Sequence, residues 1–103
     1  DLTDANLYGA DLTNAVLSYV DLSNANLYTA DLNYALLYLV DLTNANLGYA
    51  DLNYASLYGA DLTDADLTYA DFRDATVTNA DFTMTTWSNT IWTDGVAYDT
   101  NQA

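Results

Sequence analysis

Leucine stands at every fifth position from Leu2 to Leu67, and Phe72, Val77, Phe82, Trp87 and Trp92 continue the register. Two residues before each, from Ala5 to Ala80, stands Ala, with Val at Val20 and Val40. The apolar spacing is therefore three, two, three, two. Neither regular element buries such a pattern. Five residues advance an α-helix by about 500°, so successive Leu side chains would spiral around its axis. In a flat strand side chains alternate faces with period two, so odd steps put successive Leu on opposite sides. One turn per five residues resets the parity, and a chain that turns so regularly coils. Leu and the small residue then point inward, and the other three positions point out.

The outward positions predict how many repeats close a coil. Asn33 and Tyr34 recur as Asn53 and Tyr54, Tyr38 as Tyr58, Tyr49 as Tyr69, and Asn6 as Asn26 and Asn46. A lag of twenty is four pentads, a square cross-section. The repeat A-[DN]-L-x-x, held in register over residues 1 to about 83, resembles the pentapeptide repeat family. The resemblance implies an all-β fold, a right-handed quadrilateral β-helix, here of about four coils. The central Leu or Phe and the small residue two before it face inward. Residues 1–83 are expected to form the β-helix and 84–103 a C-terminal capping segment. In that segment the core residue grows from Leu to Phe82, Trp87 and Trp92, and the small position becomes Thr85 and Thr90. An aromatic cap over the last coil is expected, with a turn at Thr93-Asp94-Gly95. No cap is evident at Asp1. The chain starts there in mid-pattern without Met, which reads as a processed form or a piece of something longer. Localisation stays open between the cytoplasm and an exported or lumenal site.

Composition narrows the chemistry. The 103 residues suggest one domain and contain no Cys, His, Glu, Lys or Pro. The usual bases, nucleophiles and proton shuttles are thus missing, and a Leu-filled core builds no pocket. No enzyme activity, catalytic residue or cofactor is expected, and thiolate metal sites are excluded. Fifteen Asp against the single Arg73 give a net charge of −14. That charge repels nucleic acid and anionic membrane and attracts a basic partner. No apolar run approaches the roughly 18 residues of a membrane span. The partner expected is a protein of unknown identity. A homodimer has two contacts on offer, the uncapped N-terminal coil and the apolar face described next.

The lag of twenty sorts the surface into four faces. The first carries an acidic column, Asp1, Asp21, Asp41, Asp61 and Asp81, flanked by Thr3, Ser23, Thr43, Thr63 and Thr83. The second carries Asn6, Asn26, Asn46 and Asp66, and the third a further acidic column, Asp11, Asp31, Asp51 and Asp71. The fourth breaks the rule with Val16, Leu36, Ser56 and Thr76. Asp and Asn in these columns are expected to bond nearby backbone, as such residues do in turns. One carboxylate per coil is too sparse for Ca²⁺, which takes six to eight oxygens, so no metal site is assigned. The Thr column invites an ice-binding reading, but the hydration of the neighbouring Asp column disfavours it; hydrogen bonds across coils are expected instead. Tyr8 over Tyr28, Tyr34 over Tyr54, Tyr38 over Tyr58 and Tyr49 over Tyr69 are expected to stack.

The candidate interaction face is the fourth. Having lost its acids, it gathers Val16, Tyr19, Leu36, Tyr38, Leu39 and Tyr58, an exposed apolar patch unusual on a monomer. The function read from this is a non-enzymatic structural or protein-interaction scaffold. The alternative follows from the resemblance, since some pentapeptide repeat proteins inhibit DNA gyrase by presenting a duplex-like acidic rod. Residues 1–82 hold thirteen Asp and Arg73, a net −12. Spread over about 20 Å of axis, that is about one charge per ~1.7 Å, the density of double-stranded DNA. A DNA-mimic inhibitor of gyrase or another topoisomerase is therefore the second reading.

Overall fold

The computed structural model describes residues 1–103. Fourteen isolated parallel bridges, from Asn6↔Asn26 to Asp71↔Ile91, all join residues twenty apart. Each coil is thus four pentads, and the chain winds as a right-handed β-helix. Every face is one bridge wide, so no strand in the helix proper lengthens beyond a single paired residue. The hydrogen bonds explain how five residues suffice. The Leu N–H reaches forward to the next coil, as in Leu22 N to Asp41 O at 2.8 Å. The following coil answers with Asn46 N to Ala25 O at 2.9 Å. Between these contacts Ala25 N closes a turn onto Leu22 O at 3.0 Å. The third residue of each turn has φ near +60°, from Asp4 to Asn89, the requirement of a type II turn.

The inward set forms a single core. Leu22, Leu27, Leu32 and their successors to Leu67 are at most 1% exposed, and the Ala positions from Ala25 to Ala70 are equally buried. Burying one Leu contributes about 2 kcal/mol. Ala keeps each corner narrow enough for the next coil to stack in contact. Where Val replaces it the turn loosens: Val20 N to Leu17 O is 3.2 Å and Val40 N to Leu37 O is 3.4 Å, against 2.9–3.0 Å at most Ala corners. Toward the N-terminal end Leu7, Leu12 and Leu17 are only half-buried and Leu2 is exposed.

At the other end the parallel pairing continues past residue 83 to Thr86 and Ile91. Phe72, Phe82, Trp87 and Trp92 form one aromatic cluster, with centroids 5.0 to 6.4 Å apart and mostly edge-to-face. A short antiparallel hairpin follows, with β1 (Thr90–Ile91) paired to β2 (Ala97–Tyr98). Gly95, at φ +80°, makes its turn. Thr90 is fully buried at a small-residue position, and its hydroxyl donates to Leu67 O at 2.7 Å. Asn101 reaches back to Phe82 O at 2.8 Å. No helix is long and apolar enough to cross a membrane.

Candidate interaction faces

The two acidic columns are built into the turns. Oδ1 of Asp1, Asp21, Asp41, Asp61 and Asp81 on the first face accepts the backbone N–H two residues on, at 2.9 Å in each case. Asp11, Asp31, Asp51 and Asp71 on the third do the same at 3.0–3.1 Å. Asn6, Asn26 and Asn46 hold the second face by the same bond, so the position needs an acceptor and not a charge. The hydroxyl of the next-but-one residue also turns inward to the carboxylate. Thr3 donates to Asp1, Ser23 to Asp21 and Thr63 to Asp61, each at 2.6 Å. This corrects the expectation of hydroxyl bonds across coils: an ionised acceptor two residues away outcompetes a neutral partner in the next coil. These bonds hold the carboxyls of Asp11, Asp21 and Asp81 below the usual range, the Thr13, Ser23 and Thr83 hydroxyls contributing most.

Both acidic columns are half-buried at mid-helix, at Asp21 and Asp41 on the first face as on the third. Asp31, Asp51 and Asp71 are half-buried, and Asn33 Nδ2 bonds Asp51 Oδ2 at 3.1 Å across coils. In the next coil Arg73 holds Asp71, with Nη2 at 2.6 Å and Nε near 3 Å from both oxygens. Asn53 makes no equivalent bond, and its Oδ1 is buried without a partner.

The second face carries an aromatic ladder longer than pairwise stacking predicts. Tyr8 stacks on Tyr28 at 5.7 Å and Tyr49 on Tyr69 at 4.7 Å. Tyr28 and Tyr49 also meet at 5.4 Å, joining the pairs into four consecutive rings. Gly48 permits the link. A Cβ there would sit 2.9 Å from the Tyr28 ring, so that ring lies over the glycine and reaches the neighbouring column. Tyr34 and Tyr54 stack at 4.9 Å as expected, whereas Tyr38 and Tyr58 meet edge-on at 6.5 Å and 70° instead of stacking.

All six residues of the candidate face lie together on the fourth face. Val16 bridges to Leu36, which bridges to Ser56 and on to Thr76. Tyr38 meets Tyr58, and Leu39 lies over Gly59, where a Cβ would be 2.7 Å from its Cδ2. Tyr19 joins through its N–H to Tyr38 O at 2.8 Å. Val16 and Tyr19 are 73% and 76% exposed. The twelve outward positions, from Val16, Ser18 and Tyr19 to Thr76, Thr78 and Asn79, carry no charge. Seven Asp stand on the first face (the column plus Asp4 and Asp64) and five on the third (the column plus Asp74). The stacked pair Tyr34–Tyr54, expected from the sequence, stands two residues before Leu36 and Ser56 in the chain and is not among the six residues of the face.

Backbone strain at the turns falls on this face among others. Asn, Asp and Gly occupy most positions with φ near +60°, the residues that tolerate it. Where Tyr34, Tyr49, Tyr54 and Tyr69 stand there, each has a stacked ring to offset the strain. Tyr19 (φ 66°) has no ring partner, and Leu39 (φ 52°) is half exposed. Both edge the fourth face, while Thr29 on the second face and Met84 on the first share the geometry.

One open hollow exists, lined by Asn79, Ala80, Asp81, Phe82, Thr83, Asn101 and Ala103. It holds a single carboxylate, Asp81, already bonded to Thr83.

Comparison with known proteins agrees with this architecture. The sequence profile of pentapeptide repeats matches in eight copies, across residues 1–33, 21–53 and 45–83. No curated protein sequence matches the chain. Among solved structures, a pentapeptide repeat protein of the Arabidopsis thaliana thylakoid lumen is similar with a TM-score of 0.79 and 31% identity, over 82% of this chain and 59% of that one. A pentapeptide repeat protein of Nostoc is similar with a TM-score of 0.72 and 37% identity, over 73% of this chain and 62% of that one. QnrB1, a plasmid-mediated fluoroquinolone resistance protein, shares the fold with a TM-score of 0.77 at 20% identity, over 84% of this chain and 48% of that one. This chain thus spans about half to three fifths of the length of these solved structures. With the repeat profile covering residues 1–83 and the coil architecture shared, the chain belongs to the pentapeptide repeat family.

Proposed function

We propose that the chain is a non-enzymatic interaction scaffold that displays the neutral fourth face to a protein partner, between two acidic faces. The observation that carries this is Tyr19. A bulky side chain is held in the left-handed region, three-quarters exposed, with no ring against it. Fold stability alone favours Asn or Gly there, as at Asn14 and Asn24 in the same turn position. Val16, Leu36 and Leu39 extend the same surface, and rigid coils hold them at fixed spacing. The absence of His, Cys, Glu and Lys, with the column carboxylates committed to turns, supports display in place of catalysis.

The test compares the wild type with the double variant Leu36→Asp and Leu39→Ser by thermal unfolding and by Nile red, a neutral probe of apolar surface. The wild type should enhance Nile red fluorescence while folded. The variant should lose the enhancement and melt within a few degrees of the wild type. A wild type that leaves the dye dark, or a variant that fails to fold, overturns the assignment.

The second reading, a DNA mimic acting on a topoisomerase, is favoured by the charge of −12 over residues 1–82. The half-buried carboxylates of Asp21, Asp31, Asp41, Asp51 and Asp71, tied into their turns, weigh against a protruding phosphate-like path.

A further inference from the structure

We infer that the fourth face pairs with the same face of a second copy of this chain, the two rods running antiparallel. The inference rests on the docking reading above and names the partner.

Charge selects the occupant. Two copies, each at −14, repel wherever the first or third faces approach. The fourth face is the only one of the four whose outward positions are all uncharged, since the second carries Asp66. A basic partner would choose the acidic faces. A neutral, apolar surface is best matched by another of its kind.

Size selects the orientation. The face is graded along the helix axis, bulky in the first two coils and, Tyr58 apart, small in the last two. A two-fold axis in the plane of contact and perpendicular to the rods sets each column against itself with the coil order reversed. Val16 then opposes Thr76 of the second copy, Leu36 opposes Ser56, and Tyr19 opposes Asn79. Leu39 opposes Gly59, and only Tyr38 and Tyr58 meet as two large side chains, ring against ring. A two-fold axis parallel to the rods sets coil one against coil one, with Val16 and Tyr19 meeting their bulky counterparts.

Area sets the strength. Four coils at ~4.8 Å give a face roughly 20 Å on a side, on the order of 400 Å² per protomer. That is about half of a standard interface, so the dimer is weak and forms only at high protein concentration. The acidic faces flank the contact, so salt strengthens it by screening their repulsion.

The test is sedimentation equilibrium up to about 1 mM protein at about 50 and 500 mM NaCl, followed by cross-linking. Expected is a monomer–dimer equilibrium that shifts toward dimer at high salt. The chain has no Cys, so single-cysteine variants report geometry cleanly. Val16→Cys and Thr76→Cys, both at exposed positions, should form a disulfide when mixed and oxidised, and little when oxidised separately. A monomer at both salts, a dimer that dissociates with salt, or Val16→Cys linking to itself as readily as to Thr76→Cys each overturns the proposal. Nile red separates the two ideas: a wild type that binds the dye yet stays monomeric removes the dimer and leaves the docking face, whereas one that does neither removes both.

Discussion

Replacing Tyr19 with Asn isolates what that residue does for the fold. An L-residue other than Asn, Asp or Gly in the left-handed region costs about 1–2 kcal/mol. Asn occupies the same turn position comfortably at Asn14, Asn24 and Asn44, with φ of 61°, 60° and 57°. Against that gain stands the contact Tyr19 makes. With 76% of the residue exposed, the area removed from water is about 50 Å² of a ~200 Å² side chain. At 25 cal/mol per Å² that contributes at most about 1 kcal/mol, an upper bound because the unfolded chain also buries part of it. The substitution should therefore be neutral to stabilising by about 1 kcal/mol, raising the melting temperature by zero to about 6 °C. Urea unfolding followed by far-UV circular dichroism measures it. A loss of more than about 1 kcal/mol would show that Tyr19 holds the coil together, and the inference that it is kept for a partner would fail.

Three further outcomes follow from the same structure. Asp31, Asp41 and Asp51 changed together to Asn should melt close to the wild type, because Asn26 and Asn46 already make that turn bond, while the triple Ala variant should lose several degrees; salt-sensitive inhibition of supercoiling by purified bacterial gyrase with the wild type, lost in the Asn variant, would support the DNA-mimic reading, and none with the wild type at tens of micromolar would remove it. Removing residues 84–103 uncovers Phe72 and Phe82, now 0% and 3% exposed, and should lower the melting temperature by at least 10 °C if the segment acts as a cap; an unchanged melt would deny it that role. The carboxyls of Asp11, Asp21 and Asp81 are depressed by the Thr13, Ser23 and Thr83 hydroxyls and that of Asp94 by the Val96 N–H. Their contribution is present above the unfolded value near pH ~3.9 and lost as pH falls through the folded values. Tyr54 is raised by the charge of Asp74, and Tyr98 by its hydrogen bond to Asp94. Their contribution is present below pH ~10 and lost as pH rises through the folded values. The melting temperature should thus fall below about pH 4 and again above about pH 10; a rise on acidification would mean that charge repulsion governs instead.

The sequence by itself determined the period, the inward set and the neighbours. A five-residue repeat forces a turn in every pentad, and a lag of twenty names which residues meet, so Asn6 finds Asn26 and Val16 finds Leu36. Those features follow from translation along the axis, which any one coil specifies for the next. The four faces and the six residues on the fourth were legible for the same reason. What the tertiary structure decided lies between columns, where side-chain reach and neighbour size govern. Tyr28 leaves its column because Gly48 vacates the space beside it, and so joins Tyr49. The Thr hydroxyls turn to their own Asp because a carboxylate two residues away is the stronger acceptor. The hairpin of Thr90–Ile91 and Ala97–Tyr98 has no repeat to announce it; it forms where the pentad pattern ends and the last coil still has backbone groups to pair.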